Sequence, residues 1–174
     1  DSADELLTFV RAWLSSGIFG EQVRPARRSR AEVSLLLTVK GVVLRGSIDL
    51  LVERAGLPPL IVDYKTDRLD GAEPAELAGR YEVQRDIYAL AAGEALKSAE
   101  GVEVAYVFLE RPEQPVVQTV GPAELDAARR RLEARIEEVG QTTDRAQAEP
   151  FHLRAQLPSS SIAGRSPAPF SVNE

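Results

Sequence analysis

Apolar positions recur along this chain with two different periods. Across residues 4–16 they fall at helical spacing, with Leu6, Leu7, Val10, Trp13 and Leu14 on one side. That spacing predicts a helix with Asp4 as its cap and Gly17 and Gly20 as its end. The period then drops to two over residues 32–40, where Val33, Leu35, Leu37 and Val39 alternate with Glu32, Ser34, Leu36 and Thr38. Such alternation predicts a strand, Gly41 a hairpin-type turn, and residues 42–53 a second strand. A third strand is expected over residues 60–65, linked through Gly56 and Pro58-Pro59; its unbroken Leu60-Ile61-Val62 suits a central strand covered on both faces. A polar loop over residues 66–74 leads to a helix over about residues 76–97, and Gly79 moves its start, or a kink, to near Arg80. Strands over residues 102–109 and 116–120, separated by a turn at Pro112-Glu113-Gln114-Pro115, precede a charged helix opening at Pro122 and running to about Val139.

The element order α-β-β-β-α-β-β-α implies an α/β fold, a mixed central β-sheet flanked by helices on one or both faces. Residues 1–140 read as one domain with its core over 30–139. Beyond Gly140 the periodicity fails. Pro150, Pro158, Pro167, Pro169 and the run Ser159-Ser160-Ser161 mark residues 141–174 as an extended or poorly ordered tail, with Phe151, Leu153 and Phe170 as points where it could dock.

Composition narrows the function classes. A net charge of −6 argues against a free-standing, generally basic nucleic-acid coat protein, but not against a nuclease, whose metal site is itself acidic. With no cysteine, disulfides, zinc–thiolate sites, iron–sulfur clusters and cysteine nucleophiles are excluded, and a reducing cytoplasm is expected. No apolar run reaches the length of a membrane span and no signal peptide opens the chain. The chain has no methionine, so it reads as a fragment of a longer protein.

The chemistry gathers in Gly46–Lys65, which sets Asp49, Asp63 and Lys65 among branched aliphatics. Ionised groups are costly to bury without a partner. Strand alternation points Asp63 and Lys65 to one face and Tyr64 to the other, and Asp49 on the neighbouring strand can meet Asp63 across the pair. Two carboxylates and the main-chain carbonyl between Asp63 and Lys65 suit Mg²⁺ or Mn²⁺, which prefer few protein ligands and several waters. A lysine beside such a cation can position an attacking water or stabilise negative charge on a phosphate. The plain structural alternative is an ion pair between Asp49 and Lys65, with Asp63 closing a turn. Tyr81, Gln84 and Tyr88 share one helix face, and Gln84 and Tyr88 are the two read as belonging to the site, whereas Tyr81 reads as core. The run Arg24, Arg27, Arg28 and Arg30 reads either as a solvated loop or as a phosphate-contacting edge.

Together Gly46-Ser-Ile-Asp49, Ile61-Val62-Asp63-Tyr64-Lys65-Thr66-Asp67 and Gln84-x-x-x-Tyr88 resemble the PD-(D/E)XK nuclease superfamily, and more narrowly the RecB/AddA-type nuclease domain of UvrD-like helicases. The resemblance is close over residues 32–88 and looser to about Val139. It implies a restriction-endonuclease-like core and a Mg²⁺- or Mn²⁺-dependent deoxyribonuclease, expected to be an exonuclease acting in DNA end processing and recombinational repair. Within it Asp49, Asp63 and the Tyr64 carbonyl would hold the metal, Lys65, Gln84 and Tyr88 would complete the catalytic set, and Glu32 matches a further acid. The implied partners are single-stranded DNA ends, helicase motor domains of the same parent chain and a RecC/AddB-type subunit. Arg27, Arg28, Arg30 and Arg68 are the candidate DNA contacts, ahead of Arg129, Arg130 and Arg131, whose helix balances them with acids. A non-catalytic domain for DNA binding or subunit docking is the alternative. Two departures stand out. The histidine that relatives carry on a helix ahead of the strands has no counterpart here, His152 reading as an incidental tail residue, and the four cysteines of an iron–sulfur cluster are missing.

Overall fold

The computed structural model describes residues 2–143. The first helix, α1 (Ser2–Leu14), precedes a short π-helical segment (Phe19–Val23) and the strands β1 (Arg28–Val39), β2 (Val42–Glu53) and β3 (Leu60–Lys65). A short α2 (Pro74–Ala78) and a 3₁₀ turn (Gly79–Tyr81) lead into α3 (Glu82–Leu96), followed by β4 (Val102–Phe108), β5 (Val116–Val120) and α4 (Pro122–Thr143). The sheet is mixed, in the order β1-β2-β3-β4-β5. All neighbours are antiparallel except β3 and β4, which run parallel because α2 and α3 carry the chain across between them.

Most expected elements appear, with shifted ends. The arginine run is divided: Arg24 and Arg27 lie in the turn before the sheet, whereas Arg28 and Arg30 are in β1, which begins four residues earlier than the apolar alternation indicates. Gly79 divides the expected long helix as the pattern implied, α2 ending at Ala78 and α3 starting at Glu82. Gly140 does not end the last helix, which continues to Thr143. The expected tail otherwise lies outside the described residues, as do Phe151, His152, Leu153 and Phe170. Lys40 (φ 47°) and Gly41 (φ 78°) close the β1–β2 hairpin, the left-handed pair that a two-residue turn between twisted strands requires. At Gly101 (φ 95°) a Cβ would fall 2.2 Å from the Val120 carbonyl oxygen, so only glycine lets β4 start so close to the end of β5.

Apolar side chains cover both faces of the sheet. On the first, α3 and α4 bring Ile87, Leu90, Ala128 and Leu132 onto Leu35, Leu37, Ile61, Val104 and Tyr106. On the second, Trp13, Ile18, Phe19 and Val23 cover Val52, Leu60, Val62 and Val107. The full coverage of β3 accounts for its run Leu60-Ile61-Val62, all at most 1% exposed. The helix α1 departs from its sequence pattern. Asp4 lies inside the helix, where its backbone carbonyl accepts from the Thr8 hydroxyl, and Leu6, Leu7, Val10 and Leu14 are exposed. Trp13 alone of that apolar stripe packs inward, edge-on to Phe19 and Tyr64.

One irregularity sets up the site. Leu44 and Ile48 of β2 face the first core, yet two residues on from Ile48 it is Leu50 that faces the second core, while Leu51 takes the first. The alternation therefore slips once, at Asp49. Across the ladder, pairing of β1 with β2 skips Glu32 and Asp49, and Glu32 has a left-handed backbone (φ 51°). An L-residue held there costs about 1 kcal/mol, so the slip is maintained by the packing on either side of it.

Candidate active site

The site forms where β2 parts from β3. Their ladder ends at Leu50–Val62, so Tyr64 finds no strand partner on that side. Asp49 takes its place, its Oδ2 accepting the Tyr64 N–H at 2.9 Å. Parallel pairing with β4 uses the carbonyls of Pro59 and Lys65, so alternation turns the Tyr64 carbonyl toward β2 and the Asp49 carboxylate. The Tyr64 side chain goes to the opposite face, against Trp13, and its phenol is pushed up to about 12 by burial and by the Asp49 charge.

Asp63 and Lys65 share the first face, as their spacing of two requires. Both are buried, and Lys65 Nζ lies 2.6 Å from Asp63 Oδ2. The ion pair is thus Asp63–Lys65, not the alternative Asp49–Lys65. Lys65 also donates to Gln84 Oε1 at 2.6 Å, and Gln84 donates from Nε2 to the Tyr88 hydroxyl at 2.9 Å. Tyr88 donates to the Ser47 carbonyl at 2.8 Å and lies 3.3 Å from Asp63 Oδ1. Five side chains from β2, β3 and α3 therefore meet at one end of the sheet, and the i, i+4 spacing of Gln84 and Tyr88 on α3 makes their contact.

Burial raises the Asp63 carboxyl above its ordinary value; the Lys65 ammonium opposes this and the Asp49 charge adds to it. Its Oδ2 is buried and has no hydrogen-bond donor, Lys65 lying close but off a hydrogen-bonding angle. A buried carboxylate oxygen held only by one ammonium, a second carboxylate near enough to repel it, and a carbonyl turned the same way form a hard-oxygen set that fits Mg²⁺ or Mn²⁺ completed by water. The set is sparse: among the described residues no three His, Cys, Asp or Glu gather to hold a metal.

The remaining candidates scatter. Glu32, the β1 position that the ladder skips together with Asp49, is exposed. Arg28 pairs with Glu53 at the sheet end away from Lys65, about 13 Å along the strand from the Asp49 position, with exposed Arg27 before it. Arg30 is ion-paired to Glu53 at 3.1 Å and its Nε is buried without a hydrogen-bond partner. Arg68 lies three residues past Lys65, 82% exposed, with only a loose contact to Glu110 at 3.9 Å. Arg129 and Arg131 are engaged by Glu94 and by Asp86 and Glu124, respectively. A cleft lined by Gln22, Arg54, Leu60, Glu103 and Glu113 lies at the Leu60 end of the sheet, away from these groups. Sequence reasoning missed the Ser47 carbonyl, which no side-chain pattern signals, and Tyr106, which reads as an ordinary strand aromatic.

A model of the PD-(D/E)XK nuclease superfamily matches residues 6–156. The chain belongs to that superfamily. The mixed five-stranded sheet with flanking helices agrees with its restriction-endonuclease-like α/β fold. Among solved structures, a putative exonuclease from Eubacterium rectale superposes with a TM-score of 0.53 at 11% identity, covering 92% of this chain and 63% of that one; it shows a shared fold. SSO0001 aligns at 22% identity over 76% of this chain and 59% of its own, with a TM-score of 0.39. The PD-(D/E)XK chain thus spans about three fifths of the length of both structures. No curated protein matches it.

Proposed function

We propose that this PD-(D/E)XK domain is a Mg²⁺- or Mn²⁺-dependent deoxyribonuclease, acting as an exonuclease in the manner of RecB/AddA-type domains. The observation that carries the reading is the convergence of Lys65 on both Asp63 and Gln84, beside an Asp49 that replaces a strand partner of Tyr64. Asp49, Asp63 and the Tyr64 carbonyl would hold the cation, which supplies Lewis acidity toward a phosphoryl oxygen and an activated water. Tyr88 lies 3.3 Å from Asp63 Oδ1 while bonded to the Ser47 carbonyl, which leaves the other carboxylate oxygen, Oδ2, beside Lys65. Gln84 holds Lys65 by its amide oxygen, which aims the ammonium without neutralising it. So held, Lys65 can orient water through an N–H or stabilise charge that builds on the phosphate.

Context is part of the proposal. The motif order, with Gly-x-x-Asp before Asp-x-Lys and Gln-x-x-x-Tyr after, supports a domain tethered to helicase motor domains, assembled with a RecC/AddB-type subunit and working on single-stranded ends in recombinational repair. The sparse ligand set favours a second reading, a non-cleaving domain that binds DNA or docks a subunit.

One assay separates the two. End-labelled single-stranded DNA should be degraded with Mg²⁺ or Mn²⁺, should survive in chelator, and should survive with Asp63→Ala or Lys65→Ala. DNA binding without cleavage under any divalent metal would establish the second reading.

A further inference from the structure

The Lys65 ammonium has a third contact, one that the motif residues do not explain. Its Nζ lies 3.7 Å from the centre of the Tyr81 ring, and the Tyr106 ring centre is 5.5 Å away. Tyr81 is only half-buried, at the junction of the 3₁₀ turn and α3, so it is not simply core filling. Tyr106 holds it in two ways. Tyr106 lies against it at 5.4 Å between centroids, and the Tyr106 hydroxyl donates to the Tyr81 carbonyl at 3.0 Å.

We propose that Tyr81 is a positioning residue for Lys65, a fixed aromatic platform that holds the ammonium between Asp63 and Gln84. The reasoning is geometric. The Lys65 ammonium is ion-paired to Asp63 Oδ2 at 2.6 Å, donates an N–H to Gln84 Oε1 at 2.6 Å and turns a further side to the negative face of the Tyr81 ring. Lysine is a flexible four-carbon arm, and two polar partners leave it free to swing about the line between them. The ring closes that freedom without offering an acceptor that would neutralise the charge. The platform should be most important when Asp63 is engaged elsewhere, since Lys65 then keeps only Gln84 and Tyr81. As a role in catalysis this rests on the nuclease reading; the contact itself does not.

The test can read the contact without cleavage. The chain has three lysines, Lys40, Lys65 and Lys97, so lysine-selective ¹³C labelling gives a readily resolved set of ε-methylene signals. Lys65, assigned by its loss in Lys65→Arg, should be displaced upfield by the ring current. The displacement should persist in Tyr81→Phe and shrink in Tyr81→Leu to the small remainder due to the more distant Tyr106 ring. Under the same conditions Tyr81→Leu should slow DNA turnover roughly tenfold, the scale of a partly desolvated cation–π contact, with KM for DNA unmoved, and Tyr81→Phe should restore it. An upfield displacement undiminished in Tyr81→Leu, or a Tyr81→Phe chain as slow as Tyr81→Leu, would overturn the proposal, the second outcome assigning the effect to the hydroxyl. The expected spectra from a chain that cleaves no DNA would uphold the contact and overturn the nuclease reading.

Discussion

Among the described residues two aspartates are buried, and their surroundings are opposite. Asp86, 1% exposed on α3, is saturated: Arg131 donates to it from Nε at 2.8 Å and from Nη2 at 3.0 Å, and Arg85 from Nη2 at 2.8 Å. Asp63, 3% exposed on β3, has one ammonium and a shared tyrosine hydroxyl, with an oxygen that no donor satisfies. Removing a carboxylate from water is expensive, and a structural carboxylate recovers that cost through well-directed donors. Asp86 does so by linking α3 to α4. Asp63 does not, and an unmet cost kept at the mouth of a site is what a ligand would repay. The difference separates a carboxylate that holds the fold from one kept ready for chemistry, although both interrupt apolar surroundings.

Substitution should separate their roles. Asp63→Asn should lower DNA cleavage by about a thousandfold or more, the rate equivalent of several kcal/mol of lost charge stabilisation, with little change in the unfolding midpoint. Asp86→Ala should do the reverse. Leaving Arg85 and Arg131 facing an empty position should cost about 3 kcal/mol in urea unfolding, while the folded fraction cleaves DNA at its normal rate. Loss of cleavage in a folded Asp86→Ala chain would break the distinction.

A pH series sharpens it. Burial raises the Asp63 carboxyl in the folded chain, so the folded state binds that proton more tightly than the unfolded state. The buried charge is therefore a net cost at neutral pH, relieved as pH falls through the raised value and gone below the ordinary carboxylate range. In chelator, Asp63→Asn should be at least as stable as the parent near neutral pH, and this relative gain should shrink as pH falls. Urea midpoints of both chains from neutral to acid pH measure it, and a gap that widens toward acid would contradict the assignment. The smallest effect is expected at Tyr64. Its phenol lies on the far face against Trp13, so Tyr64→Phe should leave turnover within about twofold and stability within about 1 kcal/mol.

How far the sequence makes this legible follows from where the physics is local. Alternation and apolar runs locate all five strands, because burial on one or both faces writes itself into successive residues. Asp63 and Lys65 on one face, with Tyr64 on the other, follow from strand geometry alone. Gln84 and Tyr88 follow from helix spacing. What stays hidden depends on residues distant in the chain. Asp86 sits between those two helix residues, yet its purpose appears only when α4 brings Arg131 to it. The slip at Asp49 needs Glu32 across the ladder, in a backbone conformation its residue type does not advertise. The α1 stripe shows the converse: an amphipathic pattern predicts the helix, but not that Leu6, Leu7, Val10 and Leu14 lie exposed among the described residues. Tyr81 reads as core because a ring beneath a lysine has the same sequence signature as a ring within a cluster.

The most direct measurement is calorimetric titration of Mn²⁺ into the chelator-stripped chain, its Asp63→Asn variant and its Asp86→Asn variant. The account predicts binding to the parent chain that disappears in Asp63→Asn and persists in folded Asp86→Asn. Equal binding by Asp63→Asn and the parent would contradict it.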